Sequence, residues 1–542
     1  MDKLKDLHDR YLLLHPDPGS FSSDPQLVRW SNKDLDPVPK RQKKWEWYHV
    51  GGFWIAEGFS VAQMQTASAS VALGLNPGLT LVAYLIGNLI VAIPCCASGF
   101  IGSKYSINFP VISRASFGLW GSYFPVIVRA AVGPIWYGIQ CYLGSLGIKC
   151  MIEAIWPSFA SWHTGSIPAT AGIDAPSILS FTIFWLIILP LLSISIPSLR
   201  WLFLVKIILV PFLWVALFTW ALTAADGFGP LLTIPTKIEN GMSVGYAFCY
   251  AITAASSSAN TFAVNMPDIT RYAHNPRTAT IAQAIFLPVC LTLISLLGVT
   301  LAATSQVLYG QVYWNPLEMI QIWDNRAAKF FAGLLFAFAN IGNVIAGNSV
   351  PFGNDIMALF PRYLTIRRGQ YISAILAFAI CPWKIEASAS RFLAFLNGYS
   401  IFLGPLAGII LTDYFVVRRM ADFNVYHLYK PRGLYWYKDG VNLRAVAAFA
   451  VGMFPQLPGL VKQIDPETAG LSRGYINFTS MSWLEAVVLA GSAYYALYRL
   501  LPFELRTEEE DKAAWAIERP RARPARDGIE EEKTSASNSN AS

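Results

Sequence analysis

The chain has 542 residues, 54% of them hydrophobic and 14% charged, with a formal net charge of +7. A soluble domain carries about 25% charged residues, so this composition points to lipid as the solvent. The positive excess is accounted for by loops obeying the positive-inside pattern, which removes nucleic acid as a partner.

The first 47 residues hold nine Lys or Arg and no apolar core. They are neither a signal peptide nor, with Asp and Glu this frequent, a transit peptide. Residues 1–49 are expected to be a cytosolic tail. A helix needs about 20 apolar residues to cross the ~30 Å hydrocarbon layer. Twelve candidate runs follow, at 50–74, 80–102, 121–148, 178–198, 201–223, 244–266, 279–303, 327–357, 371–383, 392–414, 444–461 and 481–500. The ten-residue alternating segments of an outer-membrane barrel are absent. Helices remain, since every backbone group in lipid must be satisfied internally. The expected fold is therefore an all-α polytopic membrane protein with twelve transmembrane helices. An even number of spans puts both termini on one side. Residues 415–444 hold six Lys or Arg and residues 152–177 none, which places the odd-to-even connections outside. Residues 501–542, rich in Glu, Arg, Pro, Ser and Asn, are expected to be a disordered cytosolic tail. The two tails are candidate docking points for trafficking adaptors. All seven cysteines lie in or beside apolar spans without metal-type CxxC spacing, so neither a cofactor nor a metal site is indicated.

Ionisable residues within spans cost on the order of 2.5–3.5 kcal/mol each and ask for a partner, a wet cavity or a function. Glu57, Arg129, Lys206 and Asp355 stand out. A carboxylate is the natural carrier of a transported proton, which selects Glu57; Asp355 is expected to pair with Lys206 or another basic residue and to control inward opening. Trp136 and Gln140, four residues apart, share one helix face, where an indole plane and an amide suit a flat heterocycle. The eighth span carries Asn340, Asn343 and Asn348 within nine residues. Interhelical hydrogen bonding is the bland reading of these groups. In the first span Ser60, Gln63, Gln65, Thr66 and Ser68 follow Gly58, and in the sixth Thr253 to Asn260 is small and polar. Paired interruptions five helices apart match inverted-repeat transporters whose broken helices frame a midplane site; small residues serve close helix packing equally well.

The segments Trp30–Pro39, Phe53–Glu57, Trp136–Gln140, Val264–Tyr272, Gly347–Ser349, Gly353–Asp355 and Pro361–Leu364 together resemble the nucleobase-cation symport family, in its fungal uracil and allantoin permease branch. The resemblance implies a LeuT-like five-plus-five inverted repeat plus two additional helices, divided as 50–223, 244–414 and 444–500. It implies that Trp136 stacks on the substrate, that Gln140 and Asn348 hydrogen-bond its edges, that Gln65 lines the unwound part of the first helix, and that Phe395 and Leu396 supply the substrate-side aromatic and the outer gate. Glu57, Arg129, Lys206 and Asp355 fall where fungal members place proton and gating charges. Sodium-driven relatives use a Ser-Thr pair in the eighth helix, replaced here by Gly342 and Asn343, so proton coupling is favoured and sodium is the runner-up. The implied function is import of a small planar solute of the uracil, allantoin or uric acid class at the plasma membrane. The alternatives are a thiamine or nucleoside permease of the same family, or a nutrient receptor that does not transport. No zincin motif or nucleophile elbow occurs within the spans, so an enzyme is not expected.

Overall fold

The computed structural model describes residues 13–14, 27–194, 200–238, 242–421, 423–465, 467–468 and 470–503. Helix occupies each of the twelve expected positions. The first span is two half-helices, Trp47–Gly58 and Val61–Ala72. The second to seventh are Pro77–Tyr105, Tyr123–Ile155, Ala175–Leu191, Arg200–Ala224, Val244–Asn265 and Pro276–Tyr309. The eighth runs from Arg326 to Leu359 through a π-helical turn at Asn343–Ser349, and the ninth is Ile366–Ala379. The tenth is Ala389–Leu411, continued by a second π-helical turn; the eleventh begins with Leu443–Met453 and the twelfth is Ser482–Leu500. Among the described residues seven helices are long and apolar enough to cross a membrane by length and composition: the second, third, fifth, seventh, eighth, tenth and eleventh spans. Local chemistry sets several starts. Asn76, Asn275 and Asn315 each accept from backbone amides of the first helical turn, with Pro in the position that follows, where its missing N–H costs nothing.

The bundle is apolar outside and carries polar contacts within a largely apolar core. Leu85, Leu89 and Ile93 on the second span, and Ile281, Ile285 and Val289 on the seventh, are exposed at four-residue spacing. That spacing makes a stripe along each helix, and its natural solvent is lipid. Inside, Ser256 donates to the Gly87 carbonyl at 3.0 Å, and Ser257 and Asn260 meet the Ser400 hydroxyl at 2.6 and 2.7 Å. A Cβ on Gly87 would stand 2.5 Å from the Ile252 carbonyl oxygen, so this glycine lets the second and sixth spans touch backbone to backbone. The small polar stretch Thr253–Asn260 is thus a packing surface. The interruption expected there is absent, and the sixth span is one helix through it.

Connections sort onto two faces. Lys237 N bonds to the Gly74 carbonyl at 2.8 Å, Arg326 Nε to the Ala154 carbonyl at 2.6 Å and Trp383 Nε1 to the Ala171 carbonyl at 2.9 Å. Odd-to-even connections therefore share one face. On the other, Arg114 Nη1 donates to the carbonyls of Trp30 and Leu428, Arg271 Nη1 to that of Asp34, and Asn32 Nδ2 to that of Pro361. Arg444 Nε reaches the Leu501 carbonyl at 2.6 Å on the same face, so the described ends of the chain lie together. Residues 27–46, within the expected cytosolic tail, pack on the bundle: Leu27, Trp30 and Leu35 are buried, and Arg114 and Arg271 fix the segment through its backbone. The expected disordered tail lies, from residue 504 onward, outside the described residues.

Candidate functional site

The first span breaks at Phe59 and Ser60. Ser60 is extended and its hydroxyl accepts from the Gln63 amide at 3.2 Å, capping the second half-helix. A break at mid-membrane frees peptide groups that lipid cannot satisfy. The Glu57 carbonyl accepts from Asn343 Nδ2 at 3.0 Å. Asn343 opens the π-helical turn of the eighth span, the kind of irregularity that often marks a functional site. Asn348 Nδ2 bonds back to the Asn343 carbonyl at 2.9 Å, leaving its amide oxygen for a ligand. Gly347 lets the first span approach: a Cβ there would lie 2.2 Å from Glu57 Oε1.

These irregular segments, with the third and sixth spans, line a small cavity whose wall includes Glu57, Gln63, Trp136, Gln140, Phe262 and Asn348. Gln63 Nε2 and Gln140 Oε1 are buried without a protein partner. A donor and an acceptor left open at a cavity wall are what a polar ligand edge would satisfy. Phe395 and Tyr399 of the tenth span hold the Trp136 ring edge-on, with centroids 5.7 and 6.1 Å away.

Of the residues expected at the substrate, Trp136, Gln140 and Asn348 line this cavity, whereas Gln65 and Phe395 do not. Gln65 lies two residues past Gln63, about 200° round a 3.6-residue helix; it turns away and donates to Glu386 Oε2 at 3.0 Å. Phe395 is half-buried behind Trp136, and Leu396 is fully buried.

The charged residues form two separate groups. Lys206 is buried and its ammonium donates to Asn343 Oδ1, with the Glu57 carboxylate facing it. Asp355 pairs with Arg129, not with Lys206: Arg129 Nε donates to Asp355 Oδ2 at 2.7 Å, Nη2 reaches Oδ1, and Nη1 meets Asp268 Oδ2 at 3.0 Å. Twelve residues separate Asn343 from Asp355, about 18 Å along a helix axis at 1.5 Å per residue, so one lysine cannot serve both. Asp268 also accepts from the Phe109 amide at 2.9 Å. It and Gln63 stood in the sequence without an assigned role. Asp268 lies beyond the end of the sixth span, where burial leaves no hydropathy signal, and the choice between Gln63 and Gln65 depends on where the helix restarts.

A lipid-facing bundle with a broken first span and a half-polar central cavity defines a solute carrier. The chain belongs to the family of permeases for cytosine/purines, uracil, thiamine and allantoin, whose family model matches residues 37–484. It is similar to the uracil permease of Saccharomyces cerevisiae, 32% identical over 87% of this chain and 76% of that protein. It is also similar to the allantoin permease of the same yeast, 32% identical over 86% of this chain and 75% of that protein. Among solved structures it resembles the inward-facing conformation of Mhp1, with a TM-score of 0.70 and 22% identity, over 89% of this chain and 97% of that one. The fold is thus the LeuT-like inverted repeat with two additional helices, and the protein is a transporter, not an enzyme.

Proposed function

We propose that the chain is a proton-coupled symporter of the plasma membrane that imports a small planar nucleobase or ureide, of the uracil, allantoin or uric acid class. One observation carries the reading: an aromatic plane, Trp136, and three amides, Gln63, Gln140 and Asn348, converge on a cavity that also holds the Glu57 carboxylate. A flat heterocycle stacks on the indole, and its alternating N–H and C=O edge pairs with amides that offer both kinds of group. In this reading Gln63 takes the place expected of Gln65, and Phe395 supports the Trp136 ring while Leu396 closes the outer side. Arg129, Asp355 and Asp268 hold the inner side shut.

Glu57 carries the proton, and the Lys206 ammonium balances it when ionised. Sodium is the less favoured ion. A hard cation needs several oxygen ligands, yet Asn343 Oδ1 accepts from Lys206 and the Glu57 carbonyl from Asn343. Residues 50–223 and 244–414 act as the two inverted repeats around the cavity. Helices at 444–500 stand outside that exchange, and both termini are cytosolic, because the face that gathers the described ends of the chain also carries the basic connection 415–444.

The test is uptake of radiolabelled uracil and allantoin in cells lacking their own permeases, with choline replacing sodium, across a series of external pH. Accumulation against a gradient should persist without sodium, rise as pH falls and collapse with a protonophore. Uptake that requires sodium and ignores pH would overturn the proton assignment, and binding without accumulation would make the chain a receptor.

A further inference from the structure

On the face of the odd-to-even connections, Glu386 sits in the turn between the ninth and tenth spans and is only 5% exposed. Gln65, on the second half of the first span, is fully buried beside it, and its Nε2 donates to Glu386 Oε2 at 3.0 Å. The remaining oxygen of each group, Glu386 Oε1 and Gln65 Oε1, is buried and receives no hydrogen bond. Two orphaned acceptors on two groups already joined by one bond amount to a deficit of one proton. A carboxylic acid and a primary amide close a ring of two hydrogen bonds, N–H to carboxyl oxygen and O–H to amide oxygen. An ionised Glu386 leaves both acceptors desolvated and unsatisfied.

Among the described residues, no cation acts directly on the carboxylate. Glu318, on the short helix Pro316–Gln321 between the seventh and eighth spans, and Tyr142 of the third span face Glu386. Lys149 acts on Glu318 and is itself held by Asp174 at 3.1 Å and by the Ser177 hydroxyl at 3.0 Å. Lys384 and Arg391, the nearest cations in sequence, are exposed. Burial moves the Glu386 carboxyl up to about 8, the Gln65 amide opposes the rise, and Glu318 adds to it.

We propose that Glu386 is a proton-binding site distinct from Glu57, which takes a proton from the outside solution as the outer mouth closes and returns it when the mouth opens. The proton passes from outside water to Glu386 Oε1 and is shared with Gln65 Oε1. On opening, water reaches the carboxyl, the O–H bond breaks toward that water, and the bond from Gln65 is released. The pair joins the first half of the chain to the turn before the tenth span, so forming it draws the two halves together over the cavity. This proton never crosses the membrane and is not counted in the transport stoichiometry. The inference rests on the proposed orientation, in which this mouth is outside.

The sign is fixed by the two states. The closed value lies above the ordinary 4.5 of an open, hydrated carboxyl. Closure is therefore fully proton-assisted below the ordinary value, and the assistance is lost as pH rises through about 8. One linked proton changes the opening equilibrium about tenfold per pH unit in between.

The experiment is hydrogen–deuterium exchange of residues 310–325 and 380–388 in the full chain in lipid nanodiscs, corrected for intrinsic exchange, together with uptake of radiolabelled uracil. In the unsubstituted protein, protection of both segments should fall steeply as pH rises from about 5 to about 8, approaching tenfold per unit, and level off above about 8. Glu386→Gln keeps two amide–amide bonds without a proton and should flatten the profile. The exchanged pair Gln65→Glu with Glu386→Gln should restore it. Protection that ignores pH in the unsubstituted chain, or an unchanged profile in Glu386→Gln, would overturn the proposal. The exchange measurement needs no substrate, so its failure is distinct from failure to transport uracil.

Discussion

Trp136 and Gln140 sit one helical turn apart on the third span, and neither is charged, so each can be truncated without stranding a buried ion. Trp136→Ala and Asn348→Ala should abolish uptake while surface expression stays normal; unchanged KM and rate in either would reject the pocket. Gln63 is the sharper case, because its Nε2 has no protein partner. Losing one ligand hydrogen bond costs about 1–1.5 kcal/mol, so Gln63→Ala should raise KM roughly tenfold, and a normal KM would remove Gln63 from the substrate. Gln140→Glu should be worse than Gln140→Asn, since it adds a charge and removes two donors. Glu57→Gln should lose concentrative uptake yet retain binding of radiolabelled substrate, because the amide keeps the shape and releases no proton. Sequence marked Trp136, Gln140 and Glu57 as an indole, an amide and a carboxylate at membrane depth, with interhelical hydrogen bonding as the competing reading. It could not separate Gln63 from Gln65: both are buried glutamines on one half-helix, and only the restart at Ser60 decides which faces the cavity.

The elements followed the same logic at larger size. All twelve helix positions were readable, since apolar length is a strong signal in lipid. The break at Phe59–Ser60 and the unbroken sixth span were not jointly readable: Ser, Thr and small residues mark both an unwound segment and a tight helix contact. Nothing in Asn343–Ser349 announces a π-helical turn, because its reason lies in the partner, the Glu57 carbonyl waiting for Asn343 Nδ2. Gly347→Ala tests that fit. The added Cβ would collide with Glu57 Oε1, which must then leave its place beside Asn343. The variant should reach the membrane with most uptake lost and its pH dependence displaced. An unaltered pH profile would mean that the approach of the two spans has no bearing on the proton.

For the whole molecule, the buried charges stand at two levels of the bundle. On the side of the chain ends, Arg129 is nearly fully buried between Asp355 and Asp268. Removing one partner of a buried pair costs about 3–5 kcal/mol, so Asp355→Ala should weaken inner closure and leave transport severely impaired. Cysteine-reactive probes applied from the cytosolic side should then label the cavity more readily, and unchanged labelling would assign the network to stability alone. Nearer the cavity, the ammonium of Lys206 is bound to the chain and cannot depart with the solute. That tether has an electrical meaning. In the proposed cycle, with Glu57 ionised and Lys206 charged, the empty carrier returns with no net charge at its centre; with Glu57 protonated, the loaded carrier moves with one. In that cycle membrane voltage acts on the loaded stroke alone. At 100 mV that is worth about 2.3 kcal/mol per charge, roughly a fiftyfold concentration ratio for a neutral solute. Substrate should evoke an inward current that grows with hyperpolarisation, one charge per molecule taken up, and a silent electrode during active uptake would show that the cycle carries a compensating ion.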